Sequence, residues 1–196
     1  MKKYSLLFLL LAVGGESANP ISLDSLPLET KLPSVAFLYK HGYEYVGTPV
    51  PNDPRIPLLR ITTSMSRHIG TSFYTKHRQY TAQHVSENMG GFTQIGQTDA
   101  AWRVAMPRTY FKVNSSPLAY RGVCVAYGYV DNVLRRYDGK IIGTLPVSTG
   151  SELITDFRVR GGTSGGVVLD KDGLVLGVIS STIKDKQTLV IPIKGR

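Results

Sequence analysis

The chain of 196 residues contains one cysteine, Cys124, and one tryptophan. A single thiol excludes an internal disulfide framework. Cys124 lies in Val123-Cys124-Val125-Ala126, which reads as a buried strand, where a free thiol behaves as a small hydrophobe. Helical periodicity is missing beyond residue 20, as is any repeat of roughly 20 to 50 residues and any low-complexity block. The net charge is +9, yet the cations never run to five or six in succession and fall in pairs such as Arg135-Arg136, so they read as a solvated basic surface. Aromatics are not interleaved with cations on a recognisable sheet motif, and no nucleic-acid partner is expected. The four histidines, His41, His68, His77 and His84, lack the spacing of a metal site.

What is present points to β structure. Hydrophobic residues make up 42% of the chain, enough for a core, and 20 glycines and 11 prolines supply turns. Valine, isoleucine, threonine and tyrosine cluster in short runs, which argues for an all-β architecture. Strands are expected at Ser34 to Tyr39, Leu58 to Thr63, Gly70 to Tyr74, Gln79 to Ala82, Phe92 to Ile95 and Ala100 to Met106. In the second half they are expected at Gly122 to Tyr129, Lys140 to Val147, Ser151 to Phe157, Gly166 to Leu169, Leu174 to Ser181 and Thr188 to Ile193. Asp138-Gly139 and Lys171-Asp172-Gly173 read as hairpin turns. About six strands per half suggests two antiparallel barrels, over 34–107 and 108–196. A polar, proline-bearing leader (19–33) precedes them, and 47–57 is a proline loop with little ladder pairing.

The N-terminus differs in kind. Lys2 and Lys3 precede an apolar run from Ser5 to Val13 and then small residues, the layout of a secretory signal over 1–18. The run is too short to span a bilayer, which takes about 20 apolar residues. Cleavage after Gly15 fits better than after Ala18, which would put Glu16 third upstream. The expectation is a secreted or extracytoplasmic protein that meets a membrane only through this signal; the other readings of the segment are an interfacial anchor and a plain hydrophobic N-terminus.

Two short segments carry chemistry. Gly161-Gly162-Thr163-Ser164-Gly165-Gly166 is a glycine-cradled serine. A phosphate loop would want a lysine after the last glycine and then a helix, whereas Val167-Val168-Leu169 reads as strand. Glycines let the backbone turn tightly and aim N–H groups at one point, so Ser164 is the candidate nucleophile, and the amides of Gly162 and Ser164 are the candidate oxyanion donors. Thr81-Ala82-Gln83-His84 ends a β run, and His84 is the candidate base; the other histidines look like loop positions. Asp99, before the apolar strand from Ala100, is the best candidate to orient the base, with Glu87 and Asp131 as the alternatives. A serine hydroxyl needs such a base to become nucleophilic.

In these residues the chain resembles the trypsin-like (chymotrypsin-fold) serine peptidases, above all the HtrA/Deg-type protease domain and related viral and bacterial enzymes without disulfides. Gly70-Thr71-Ser72-Phe73 resembles the family's Gly-Ser-Gly-aliphatic strand, Thr81-Ala82-Gln83-His84-Val85 its histidine motif, and Asp99-Ala100-Ala101 its Asp-x-Ala. Gly122 to Gly128 resembles the opening strand of the second barrel. Thr155-Asp156 precedes Ser164 as in the HtrA-type segment, and Val190-Ile191-Pro192 resembles the closing strand. The resemblance covers roughly residues 34 to 193.

It implies two perpendicular six-stranded β-barrels with the site between them, and peptide-bond hydrolysis through an acyl-enzyme on a protein or peptide substrate. It implies no metal or organic cofactor. It also implies a pocket, for the residue before the cut, lined by Phe157, Arg158, Val159, Arg160, Ser180, Ser181 and Thr182. Arg158 or Arg160 would favour an acidic side chain there if turned inward, and would do nothing if turned to solvent. Only 14 residues separate His84 from Asp99, so the first barrel is expected to be trimmed. Thr163 replaces the family's Asn, and Val167 its Pro. The chain ends at Arg196, so no PDZ domain is expected. The rival readings are a catalytically silent trypsin-fold module that binds protein, and a viral or phage peptidase that processes a polyprotein.

Overall fold

The computed structural model describes residues 55–62, 68–87, 89–183 and 186–195, with the strand backbone alone of Asn19–Ile21 and Thr48–Pro49. The signal at 1–18, most of the leader and the strand expected at Ser34 to Tyr39 lie outside the described residues. In chain order the strands are β1 (Asn19–Ile21), β2 (Thr48–Pro49), β3 (Leu58–Thr62), β4 (His68–Thr75), β5 (Arg78–Thr81), β6 (Thr93–Gln94), β7 (Ala101–Val104), β8 (Thr109–Phe111), β9 (Gly122–Val130), β10 (Val133–Val147), β11 (Gly150–Thr155), β12 (Val167–Asp170), β13 (Val175–Ile183) and β14 (Gln187–Pro192). One short helix, α1 (Gln83–Ser86), follows β5.

The fold is the trypsin-like two-barrel architecture. Its second half closes: β11, β14, β13, β12, β9 and β10 pair in that order, and β10 returns to pair with β11. The first half is an open sheet among the described residues, in the order β1-β8-β4-β5-β7-β6 with β3 on β4. This is the trimmed half. Between His84 and Asp99 there is room only for α1, the two residues of β6 and a turn closed by Ile95 and Ala100.

Two local readings change. Asp138-Gly139 is not a turn: both residues lie within β10, opposite Val125 and Cys124 of β9. The reversal falls at Asp131-Asn132, where Asp131 takes φ of 53°, a left-handed conformation that Asp tolerates better than most residues. Thr48–Pro49, within the proline loop, pairs with Arg136 and Arg135 of β10.

Strands β9, β12, β13 and β14 of the closed barrel bury both faces over much of their length, which is why they read as nearly unbroken apolar runs. On one face Cys124, Ala126, Tyr137, Leu153, Val168, Leu176, Ile179 and Val190 fill the barrel. On the other, Val125, Tyr127, Val167, Leu169, Val178 and Ile191 pack against Phe73, Tyr80 and Phe111 of the first sheet. One cluster therefore joins the two halves. Cys124 is fully buried, and burial pushes its thiol far up from the usual range.

Candidate active site

Strand register brings the candidate residues together. Thr81 of β5 stands opposite Ala101 of β7 and also opposite Ser72 of β4. Because these pairs are antiparallel, the chain leaving β5 toward His84, the chain entering β7 from Asp99, and Thr71 all lie at one end of the sheet. There Nδ1 of His84 lies 2.9 Å from both carboxylate oxygens of Asp99. The backbone N–H of His84 also donates to Oδ1 at 3.0 Å. Asp99 is thus the carboxylate that meets the imidazole. Asp131 is an exposed turn residue, and Glu87 is exposed at the end of α1.

Ser164 comes from the other half. Gly165 and Gly166 exchange backbone bonds with Ile179 of β13 (2.8 and 2.9 Å), and Gly166 donates to the Thr163 carbonyl at 2.8 Å. Gly165 has φ of 84°, and a Cβ there would collide with the Thr71 carbonyl and the Thr81 hydroxyl, so only glycine fits. The turn is also tied to the first sheet. The Thr71 amide donates to the Ser164 carbonyl at 2.8 Å, and the Thr71 hydroxyl donates to the Gly162 carbonyl at 3.1 Å. The same hydroxyl accepts from the Tyr129 amide at 2.9 Å. Thr163, fully buried, donates through Oγ1 to the Arg160 carbonyl at 2.5 Å.

Ser180, one residue beyond Ile179, touches both parts of the site. Its hydroxyl donates to Oδ2 of Asp99 at 2.7 Å, and its carbonyl accepts from the Ser164 hydroxyl at 3.3 Å. Sequence reasoning put Ser180 only in the substrate pocket and gave Thr71 no role at the site; a lone hydroxyl in a strand carries no signal of a partner so distant in the chain.

Charge follows from these bonds. Burial works to raise Asp99, but bonds from the His84 ring, the Ser180 hydroxyl and the His84 amide outweigh it and hold the carboxyl below the usual range. The bond to Asp99 raises His84 above its ordinary 6.5, against partial burial and with help from the charges of Asp99 and Glu87. With Nδ1 held by Asp99, Nε2 is the ring nitrogen left to exchange a proton, and His84 lines the cavity beside it.

That cavity, about 350 Å³, is lined by His84, Ser164, Arg158, Arg160, Ser181 and Thr182, with Ser180 and Val159 also on its wall. Phe157 corrects one expectation. It is fully buried inside the closed barrel, stacked on Tyr137 with centroids 6.2 Å apart, and stands behind the cavity. Another cavity of about 240 Å³, bounded by Ile56, Leu59, Tyr74 and Met106 among others, contains none of the candidate residues.

A closed barrel and an open sheet, with a hydroxyl, an imidazole and a carboxylate at their seam, match the trypsin-like class of fold. No protein-family model matches the chain, and no curated protein matches it. Solved structures do. The chain is similar to the active form of the Rv3671c protease of M. tuberculosis, with a TM-score of 0.56 and 19% identity over 84% of this chain and 88% of that one. It is similar to the serine protease of a human pathogenic astrovirus, with a TM-score of 0.51 and 21% identity over 70% of this chain and 90% of the other. It is also similar to the HtrA-type protease AlgW with a decapeptide, with a TM-score of 0.54 and 16% identity over 75% of this chain and 57% of that one.

Proposed function

We propose that the protein is a serine endopeptidase that hydrolyses peptide bonds through an acyl-enzyme, with Ser164 as nucleophile, His84 as base and Asp99 as the group that orients the base. The observation that carries this reading is the His84–Asp99 pair at 2.9 Å on the edge of a cavity that Ser164 also lines. The fold shared with solved proteases, one of them a serine protease and another with a decapeptide, supports it.

The cycle balances on these residues alone. The Ser164 hydroxyl leaves the Ser180 carbonyl and gives its proton to Nε2 of His84 as Oγ bonds to the substrate carbonyl carbon. The amides of Gly162 and Ser164 hold the oxyanion. Asp99, ionised throughout, steadies the imidazolium. The C–N bond then breaks, and His84 gives its proton to the departing amine. Water enters, loses a proton to His84 and attacks the ester. The Oγ–C bond breaks, Ser164 recovers its proton, and the new carboxyl end departs.

A fluorophosphonate probe tests the reading. Native protein should be labelled and should cleave peptides. Ser164→Ala should do neither while keeping its circular dichroism. Equal labelling of the variant would defeat the assignment.

Residues 1–18 are proposed as an export signal on their charge and apolar layout. The mass of the protein recovered outside the cytoplasm tests this: a start near Glu16 or Asn19 supports it, and a start at Met1 refutes it.

A further inference from the structure

The positive charge of the chain is unevenly spread. Residues 55–112, which supply most of the open sheet, hold eight arginines and lysines against two carboxylates, Glu87 and Asp99, and so account for +6 of the net +9. Both carboxylates lie at the end of the sheet that carries His84. The opposite end is built from 55–60, 73–78 and 104–109, which contain no aspartate or glutamate. There Thr75 pairs with Arg78, and Arg78 with Val104. The Ala105 amide donates to the His77 carbonyl, and the Tyr74 amide to the Pro57 carbonyl, each at 3.0 Å.

Apolar side chains at this end stand in water. Met106 is 92% exposed, Val104 72% and Leu59 43%. Met106 and Leu59 line the groove of about 240 Å³, together with Ile56, Tyr74 and Arg108. Lys76 and Arg108 are exposed beside them. Neither side chain makes an ion pair or hydrogen bond among the described residues.

We infer that this end of the open sheet docks the protein on an anionic lipid bilayer. Val104 and Met106 enter the headgroup region, where apolar surface leaves water. Lys76 and Arg108 keep their charged heads among the lipid phosphates and carboxylates. A polynucleotide would answer the cations and leave Val104 and Met106 without a partner. It would also find Trp102 already covered by the Arg78 guanidinium, 4.0 Å from the ring centroid. A second copy would set like charge against like. Arg78 and Thr81 are three residues apart, about 10 Å along β5, so the docked protein holds the Ser164–His84 cleft on the side away from lipid. The inference does not depend on the peptidase reading.

Cys124 is the single cysteine and is fully buried, so a dye that reports polarity can be placed at will on the full chain. Met106→Cys carries it at the proposed surface, and Ser181→Cys carries it at the cleft. On vesicles of phosphatidylcholine with about a quarter phosphatidylserine, emission from position 106 should rise at least about twofold and shift to the blue. Position 181 should stay as in water. Phosphatidylcholine alone should give far less, and added salt should reverse the rise. Co-sedimentation with the anionic vesicles should weaken about fivefold in Arg108→Gln and again in Lys76→Gln. In Val104→Ser/Met106→Ser it should weaken at least about tenfold. Every variant carries the same N-terminal segment, so any affinity of that segment cancels in these ratios. Should the serine pair fail to fold, Arg108→Gln, at an exposed side chain, decides the matter alone. Equal responses at 106 and 181, equal responses to the two kinds of vesicle, or unchanged co-sedimentation would overturn the inference. So would binding of polyuridylate that is tighter than binding of the vesicles and indifferent to the serine pair.

Discussion

The hydroxyl of Ser180 donates to Oδ2 of Asp99 at 2.7 Å, across the seam between the closed barrel and the open sheet. The carboxylate proposed to orient the base in one half is therefore held in part by a strand of the other. This third donor, beyond the two that His84 supplies, helps keep Asp99 ionised although burial opposes it.

That arrangement sets the pH dependence of activity. The base must be neutral to accept the proton of Ser164, so kcat/KM should fall as pH drops and His84 becomes charged. Because Asp99 raises His84, the midpoint of that fall should lie above pH 6.5. In Asp99→Asn the bond and charge that raise His84 are gone, so the midpoint should move to lower pH, and turnover should drop by about 10³–10⁴ as the imidazole loses its orientation. In Ser180→Ala the carboxylate loses a donor and becomes more basic, so the midpoint should move to higher pH with a loss of only about tenfold. Profiles of kcat/KM against pH for the three proteins check both directions; shifts of the same sign would refute the account.

Thr71 should position the nucleophile turn without touching substrate. Its hydroxyl joins Gly162 and Tyr129, and its amide holds Ser164. Thr71→Val leaves the Gly162 carbonyl and the Tyr129 amide without that partner, at about 1–3 kcal/mol of stability. It should also lower kcat more than it raises KM, since the Gly162 peptide beside the oxyanion loses its anchor. Thr71→Ser keeps the hydroxyl and should restore kcat. A Ser variant as slow as the Val variant would mean that the hydroxyl alone does not anchor the turn.

Gly165→Ala should cost at least about 2 kcal/mol, because left-handed backbone disfavours a Cβ and the Thr71 carbonyl and Thr81 hydroxyl occupy its space. Thermal denaturation reads this directly. A variant with native stability would mean that the turn can relax away from the first sheet.

Much of the fold was legible in the sequence because β9, β12, β13 and β14 are buried on both faces over much of their length. Runs such as Val167-Val168-Leu169 stand out without any need for alternation. Ser164 and His84 could be picked out as candidates because glycines and a β-terminal histidine mark backbone geometry that few other sequences tolerate. Asp99 stood out only as a carboxylate ahead of an apolar strand, and the β5–β7 register is what brings it to His84. Asp138-Gly139 misled because a dipeptide that favours a turn was overridden by pairing with Cys124 and Val125. The roles of Thr71 and Ser180 were hidden for a plainer reason: their partners are set by how the two halves dock, and no local pattern encodes a contact 81 positions away.

The double-faced burial of β9, β12, β13 and β14 has a consequence for the protein as an object to be handled. Severed from its N-terminal companion, the C-terminal fragment would bare a patch built around Val125, Tyr127, Val167 and Val178 and would clump in water. Ser164 and His84, the proposed nucleophile and base, thus reside on complementary pieces that need one another for solubility, so on the peptidase reading reassociation of the fragments and recovery of catalysis should be a single event.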